Sequence, residues 1–148
     1  MKNILSLLLV PLLAVNGAQA GDTSAAITNI EGTYQCSGEC VITTTNGGKS
    51  LISVTGEVDK IARWKDSKYG IYKIDITGSN NFKEQEIGSL VGHQMQTATA
   101  NVSDAQYPVL EQYIFQGNPS GQATRYTKTV LNPSNNNFKA CSIVCNKQ

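Results

Sequence analysis

Apolar and polar positions alternate along most of this chain in short runs. Gly70 to Ile76 places Tyr72, Ile74 and Ile76 on one side and Lys73 and Asp75 on the other, the period-two pattern of a half-buried strand. Ile27 to Cys36, Cys40 to Thr45, Leu51 to Thr55, Ile87 to Val91, Ala123 to Leu131 and Phe138 to Cys145 have similar content. They are rich in Ile, Val, Thr, Tyr and Phe, which pack well on a pleated surface. The runs are separated by Asn46-Gly47-Gly48, Asp66-Ser67-Lys68, Gly78-Ser79-Asn80-Asn81, Gly117-Asn118-Pro119-Ser120-Gly121 and Asn132-Pro133-Ser134-Asn135-Asn136. Each separator is built from residues that suit tight turns. Short strands at close turn spacing predict an all-β fold, an antiparallel β-barrel or a sandwich.

Two stretches fit more than one element. Gly56 to Trp64 alternates as a strand through Val58, Ala62 and Trp64, while Val58, Ile61 and Ala62 also fit a helix face. Ser103 to Phe115 opens with helix-cap chemistry, and its Pro108 suits a first helical turn or a strand edge. Strand is preferred for Val109 to Gln116, because Gly117 to Gly121 then turns the chain into Ala123 onward.

The start of the chain is different in kind. Lys2 precedes an apolar run from Ile4 to Val15, and Ala18-Gln19-Ala20 follows. This order of charged start, apolar centre and small-residue site predicts a secretory signal peptide, residues 1–20, cleaved before Gly21. The run is too short, and broken by Pro11, to cross a bilayer, which takes ~20 apolar residues. One domain, 21–148, is therefore expected in the periplasm or outside the cell, with no membrane span. The Asn101-Val102-Ser103 sequon matters only in a eukaryotic secretory pathway. Loss of Lys2 with the leader takes the formal charge from +1 to zero.

An exported chain meets an oxidising compartment, so Cys36, Cys40, Cys141 and Cys145 are expected to form two disulfides. If the first and last strands lie antiparallel, one register opposes Cys36 to Cys145 and Cys40 to Cys141, with both bridges on one face. Local pairs, Cys36–Cys40 and Cys141–Cys145, are the competitor. They demand sharp bends, since residues four apart on a strand are ~13 Å apart. Ser37-Gly38-Glu39 could make such a bend, whereas Ser142-Ile143-Val144 reads as strand. A four-cysteine zinc site is a weaker reading of the same spacing.

A closed barrel brings the first and last strands together, as the crossed pairing requires, and leaves no exposed sheet edge. Ile30-Glu31-Gly32-Thr33-Tyr34 resembles the Gly-x-aromatic opening of lipocalin-like barrels, with Tyr34 where lipocalins usually carry Trp. That resemblance implies a single-domain barrel that holds a small apolar molecule inside.

Reactive side chains are scarce. Only 16% of residues are charged, 12 Lys+Arg stand against 11 Asp+Glu, and there is one His. This balance argues against a nucleic-acid partner, which needs a larger uncompensated basic patch than Lys60, Arg63, Lys65 and Lys68. His93 sits in no motif, and no nucleophile elbow is present. Glu84 and Glu86 share a strand face that Glu111 can join, the raw material of a carboxylate-dependent hydrolase, although such neighbours more often form a solvated face. Asp75, Glu84 and Glu86 lack an ordered calcium loop. Arg63-Trp64 and Arg125-Tyr126 pair a cation with a ring, most simply an arginine covering a core aromatic. Tyr69, Tyr72, Tyr107 and Tyr113 can line a cavity or plug it.

The composite expectation is an exported barrel that binds a small hydrophobic or amphipathic ligand without covalent chemistry, metal or cofactor. Trp64, Tyr72, Ile74 and Tyr113 are the expected lining residues. A protein-interaction module, such as an inhibitor, adhesin accessory or host-directed factor, is the alternative. A small hydrolase using Glu84, Glu86 or His93 is the second. The sequence does not fix the oligomeric state.

Overall fold

The computed structural model describes residues 26–64, 70–99, 109–133 and 137–148. The expected signal peptide, the sequon, Tyr69 and Tyr107 lie outside these residues. Eight strands form one closed antiparallel barrel in simple sequence order. They are β1 (Gly32–Thr44), β2 (Lys49–Arg63), β3 (Ile71–Thr77), β4 (Lys83–Val91), β5 (Gln94–Thr99), β6 (Leu110–Gly117), β7 (Ala123–Pro133) and β8 (Asn137–Lys147). A single 3-10 turn, Ser79–Asn81, joins β3 to β4. The choice between barrel and sandwich is thus settled for the barrel, and Gly56 to Arg63 is strand rather than helix.

Two pairs of expected strands are single strands. The runs around Cys36 and Cys40 merge into β1, because Ser37-Gly38-Glu39 makes a register shift instead of a chain reversal. Gly38 is needed there: a Cβ on it would lie 2.2 Å from the Ser142 carbonyl oxygen and 2.7 Å from Ile143 Cα, so any side chain would force β1 and β8 apart. Leu51 to Thr55 and Gly56 to Arg63 likewise merge into β2, with Gly56 at φ 70° taking a backbone conformation that costs other residues energy. β5 was not expected, since Gln94-Met95-Gln96-Thr97-Ala98-Thr99 has little apolar alternation to mark it.

β1 and β8 close the ring. Cys36 lies opposite Cys145 and Cys40 opposite Cys141, and both pairs are disulfide-bonded, with Cα atoms 4.0 and 3.9 Å apart. The crossed pairing stands, and the local pairs and the zinc reading are overturned. Two disulfides are compatible with an oxidising location.

At the end where β1 begins, the preceding segment folds back beside the β6–β7 turn. Thr28 N–H and Asn29 N–H donate to the Gly121 carbonyl, and Ala123 N–H donates to that of Asn29. This seats Ile27 and Ile30 on a core that includes Tyr34, Ile61, Tyr72, Ile74, Tyr113, Phe115, Tyr126 and Ile143. Each fully buried large side chain of this kind contributes roughly 1.5–3 kcal/mol. The buried Tyr34 hydroxyl is satisfied by the Ile30 carbonyl at 2.8 Å.

The other end is uneven. β2 pairs with β3 only from Val58 to Arg63, so Lys49 to Glu57 pair with β1 alone. Outward positions of the middle strands carry Lys60, Lys73, Asp75, Gln85, Gln96 and Gln112. Ile87 on β4 and Ile114 on β6, each 38% exposed, share that outer face. Among the described residues no helix is long and apolar enough to cross a membrane.

Candidate functional site

The interior is not purely apolar. Asp59 is two residues before Ile61, Glu111 two before Tyr113, Lys128 two after Tyr126 and Glu86 two before Gly88. Period-two geometry therefore sends these charged side chains inward with their apolar neighbours. Asp59 and Glu86 are wholly buried, and Lys128 and Glu111 are nearly so. A solvated acidic face at Glu84 and Glu86 is thus corrected: Glu86 lies inside the barrel, and Glu84 is partly buried in register with Ile76.

The buried groups form two clusters. In the first, Lys128 bridges Glu57 and Asp59, with its Nζ 3.2 Å from Asp59 Oδ2. The Tyr126 hydroxyl donates to the same Asp59 oxygen. Burial raises the Asp59 carboxyl to about 6, against the pull of Lys128 and Tyr126. Burial also works against the Lys128 ammonium, yet the carboxylates of Asp59 and Glu57 hold it above the usual lysine range. Asp59 reaches toward the Cys36–Cys145 bridge as well, 4.0 Å from Cys145 Sγ. The two sulfurs are bonded to each other, so this trio is not a metal site.

In the second cluster, the Tyr113 hydroxyl oxygen lies 2.6 Å from Glu86 Oε2 and 3.0 Å from Glu111 Oε2. Burial, then the hydrogen-bonded and charged Glu86 carboxyl, pushes Glu111 up to about 10. The Tyr113 hydroxyl donates toward both carboxyls, the shorter bond going to Glu86. The Tyr113 phenol is itself held well above its usual range, first by burial and then by Glu111 and Glu86. The clusters touch through the Tyr113 and Tyr126 rings, whose centroids are 5.2 Å apart, and through Lys128, whose Nζ is 5.8 Å from the Tyr113 centroid.

Not every acceptor is satisfied. Glu86 Oε1, Asp59 Oδ1 and Thr97 Oγ1 are buried and receive no hydrogen bond. Thr97 lies opposite Gly88 on β4 and Glu111 on β6, next to the second cluster in register. Above these groups the inner face of the β1–β2 hairpin continues with Val54, Ile52 and Ile42. Ile52, in register with Cys40, is 46% exposed although it faces inward. A cleft of about 370 Å³ beside the β3–β4 hairpin is lined by the outward-facing Lys60, Asp75 and Gln85 together with Ile76, Thr77, Lys83 and Glu84, and so lies largely on the outside of the barrel.

Of the expected lining residues, Tyr72, Ile74 and Tyr113 are inside and fully buried, whereas Trp64 is outside at the end of β2 and 47% exposed. Trp64 therefore does not join the other three. Arg63 covers the Tyr72 ring, 5.5 Å from its centroid, and donates to its hydroxyl at 3.0 Å, so the ring beneath it is that of Tyr72 across the β2–β3 pair and not the neighbouring Trp64. Arg125 is exposed while Tyr126 is buried, so those neighbours face opposite ways. His93 sits exposed in the β4–β5 turn, where its carbonyl accepts from Phe115 N–H. It shares no site with Glu84 or Glu86. Asp59, Lys128 and the unsatisfied Thr97 were missed as site residues.

No protein family, curated protein or solved structure matches this chain. The class it belongs to is therefore structural: a closed, eight-stranded, doubly disulfide-bonded antiparallel barrel.

Proposed function

We propose that this chain is an exported binding protein that takes a small amphipathic molecule into the uneven end of its barrel and performs no covalent chemistry on it. The observation that carries the reading is the change of character along the inner face. Exposed or half-exposed apolar side chains, Ile52, Ile42 and Val54, give way to buried acceptors that lack donors. Apolar lining with a few placed polar groups is the usual make-up of a ligand site. A hydrolase fits less well. Glu86 and Glu111 are bridged by the Tyr113 hydroxyl, which occupies the space a scissile bond would need.

Native mass spectrometry of protein purified from its own host tests the reading, together with binding of the neutral fluorophore N-phenyl-1-naphthylamine. A co-purifying small molecule, or fluorophore binding that Val54→Trp blocks, is the expected result. Bare protein that binds no fluorophore overturns it.

A second reading, a protein-interaction module, is favoured by a different surface. Leu51, Val41, Ala140, Leu131 and Leu110 are register neighbours on the outer face of β2, β1, β8, β7 and β6. Leu51 and Leu110 at its ends are 61% and 60% exposed. Such a row spans about 19 Å at ~4.8 Å per strand, and contiguous exposed apolar surface marks contact sites.

A further inference from the structure

We infer that the head group of the ligand is an organic cation, a primary ammonium held between Glu86 and Thr97 on the inner face of β4 and β5. The inference rests on the reading of the barrel as a small-molecule binder and names the ligand's chemistry. Three observations support it independently of one another.

The first is charge. Among the described residues, Asp59, Glu86 and Glu111 are the buried acids and Lys128 the one buried base. Lys128 is already committed to Asp59 and to the partly buried Glu57. Glu86 has no cation of its own, and a buried carboxylate is costly without one. The second is hydrogen bonding. Tyr113 satisfies one oxygen of Glu86, while the other, and the Thr97 hydroxyl across the β4–β5 pair, which can donate as well as accept, have no hydrogen-bond partner. An ammonium is a donor with three N–H bonds and no lone pair, so it supplies what these acceptors lack. A carboxylate or phosphate head would add acceptors to a site already rich in them.

The third is the choice between an organic cation and a metal ion. Glu86 and Glu111 belong to no trio of metal-ligating side chains among the described residues. A bare divalent ion demands more oxygen ligands than Glu86 and Thr97 offer. The apolar lip of Ile52, Val54 and Ile42 suits the hydrocarbon body that an organic amine carries.

Calorimetric titration with three ligands of equal chain length, decylamine hydrochloride, decanol and sodium decanoate, below their micelle concentrations at pH 7, tests the assignment. Decylamine should bind about tenfold or more tighter than decanol, in keeping with a hydrogen-bonded charge, and decanoate weaker than decanol. Glu86→Gln keeps an acceptor for Tyr113 and should bring decylamine down to the level of decanol. Thr97→Val should lower decylamine affinity more than decanol affinity, and near-UV circular dichroism checks that each variant is folded. Equal binding of all three ligands, tighter binding of decanoate, or a decylamine preference that survives both substitutions overturns the cation and leaves the binding barrel standing. Binding of none of the three overturns the binding barrel as well.

Discussion

Lys128 is the side chain that makes the acidic interior tolerable on one side. It contacts Asp59 and Glu57 and lies over the Tyr113 ring. Removing one member of a buried ion pair leaves the other charge stranded, at a cost of about 3–5 kcal/mol. Lys128→Met, similar in shape but uncharged, is expected to lose stability on that scale in urea unfolding at pH 7. A loss below about 1 kcal/mol would mean that Asp59 is not charged in the fold.

Glu111 gives the molecule an unusual pH response. Its folded value of about 10 stands above its ordinary 4.5, and Asp59 at about 6 stands above 3.8. Between each pair of values the folded state holds a proton that the unfolded state has released, so stability falls as pH rises. The midpoint of thermal unfolding should therefore decline from pH 5 to pH 9. Glu111→Gln, which mimics the protonated acid without titrating, should flatten that decline and raise the midpoint at pH 8 by at least about 3 °C. Calorimetric scans of both proteins across the series decide it. A midpoint that climbs with pH, or an unchanged slope in the variant, contradicts the assignment.

Among the elements, β1 and β8 matter most, because two bridges join them in one register. The bridges close sequence separations of 109 and 101 residues, but they do not act independently. Once one is made, the other closes only the short ring formed by residues 36–40 and 141–145. Chain-entropy scaling then assigns about 5 kcal/mol to the first bridge formed and about 3 kcal/mol to the second. Replacing Cys40 and Cys141 by serine should cost about 3 kcal/mol in denaturant, and replacing all four cysteines about 8 kcal/mol, more than twice as much. Equal costs for each successive loss would show that the shared register has no thermodynamic effect.

This register was legible in the sequence because antiparallel pairing fixes it: a step of four on one strand matches a step of four on the other. The barrel was legible from the alternation. What stayed hidden were the departures from apolar-in, polar-out. Glu86 reads as part of a solvated acidic face that Glu111 can join, and Asp59 and Lys128 carry no motif, although each is in phase with inward residues of its own strand. Phase was the available signal. β5 had almost none, since Met95 is its one large apolar side chain, and its existence depends on β4 and β6 offering free edges on both sides. The joining of two runs through Gly38 follows from a contact with Ser142 and Ile143, more than a hundred residues away, that local sequence does not encode.

On the scale of the molecule, the barrel separates two environments. Its wall turns Lys, Asp and Gln outward over β2 to β6, and its interior combines tyrosine rings with paired charges. The chain entry before β1 and the end of β8 meet at one end, where Gln148 N–H donates to the Thr33 carbonyl. The uneven end, with its exposed Ile52, lies at the opposite pole. Closure of the ring through its first and last strands also dictates an order of events. Under the proposed export, a chain emerging from its N-terminus exposes Cys36 and Cys40 to oxidant about a hundred residues before their partners arrive. During that interval the nearest thiol to each is the other, four positions away. The native bridges therefore require either that the early thiols stay reduced until β8 has appeared, or that a wrongly joined pair is reopened by thiol exchange. Its yield in the cell is thus tied to the redox machinery that receives it.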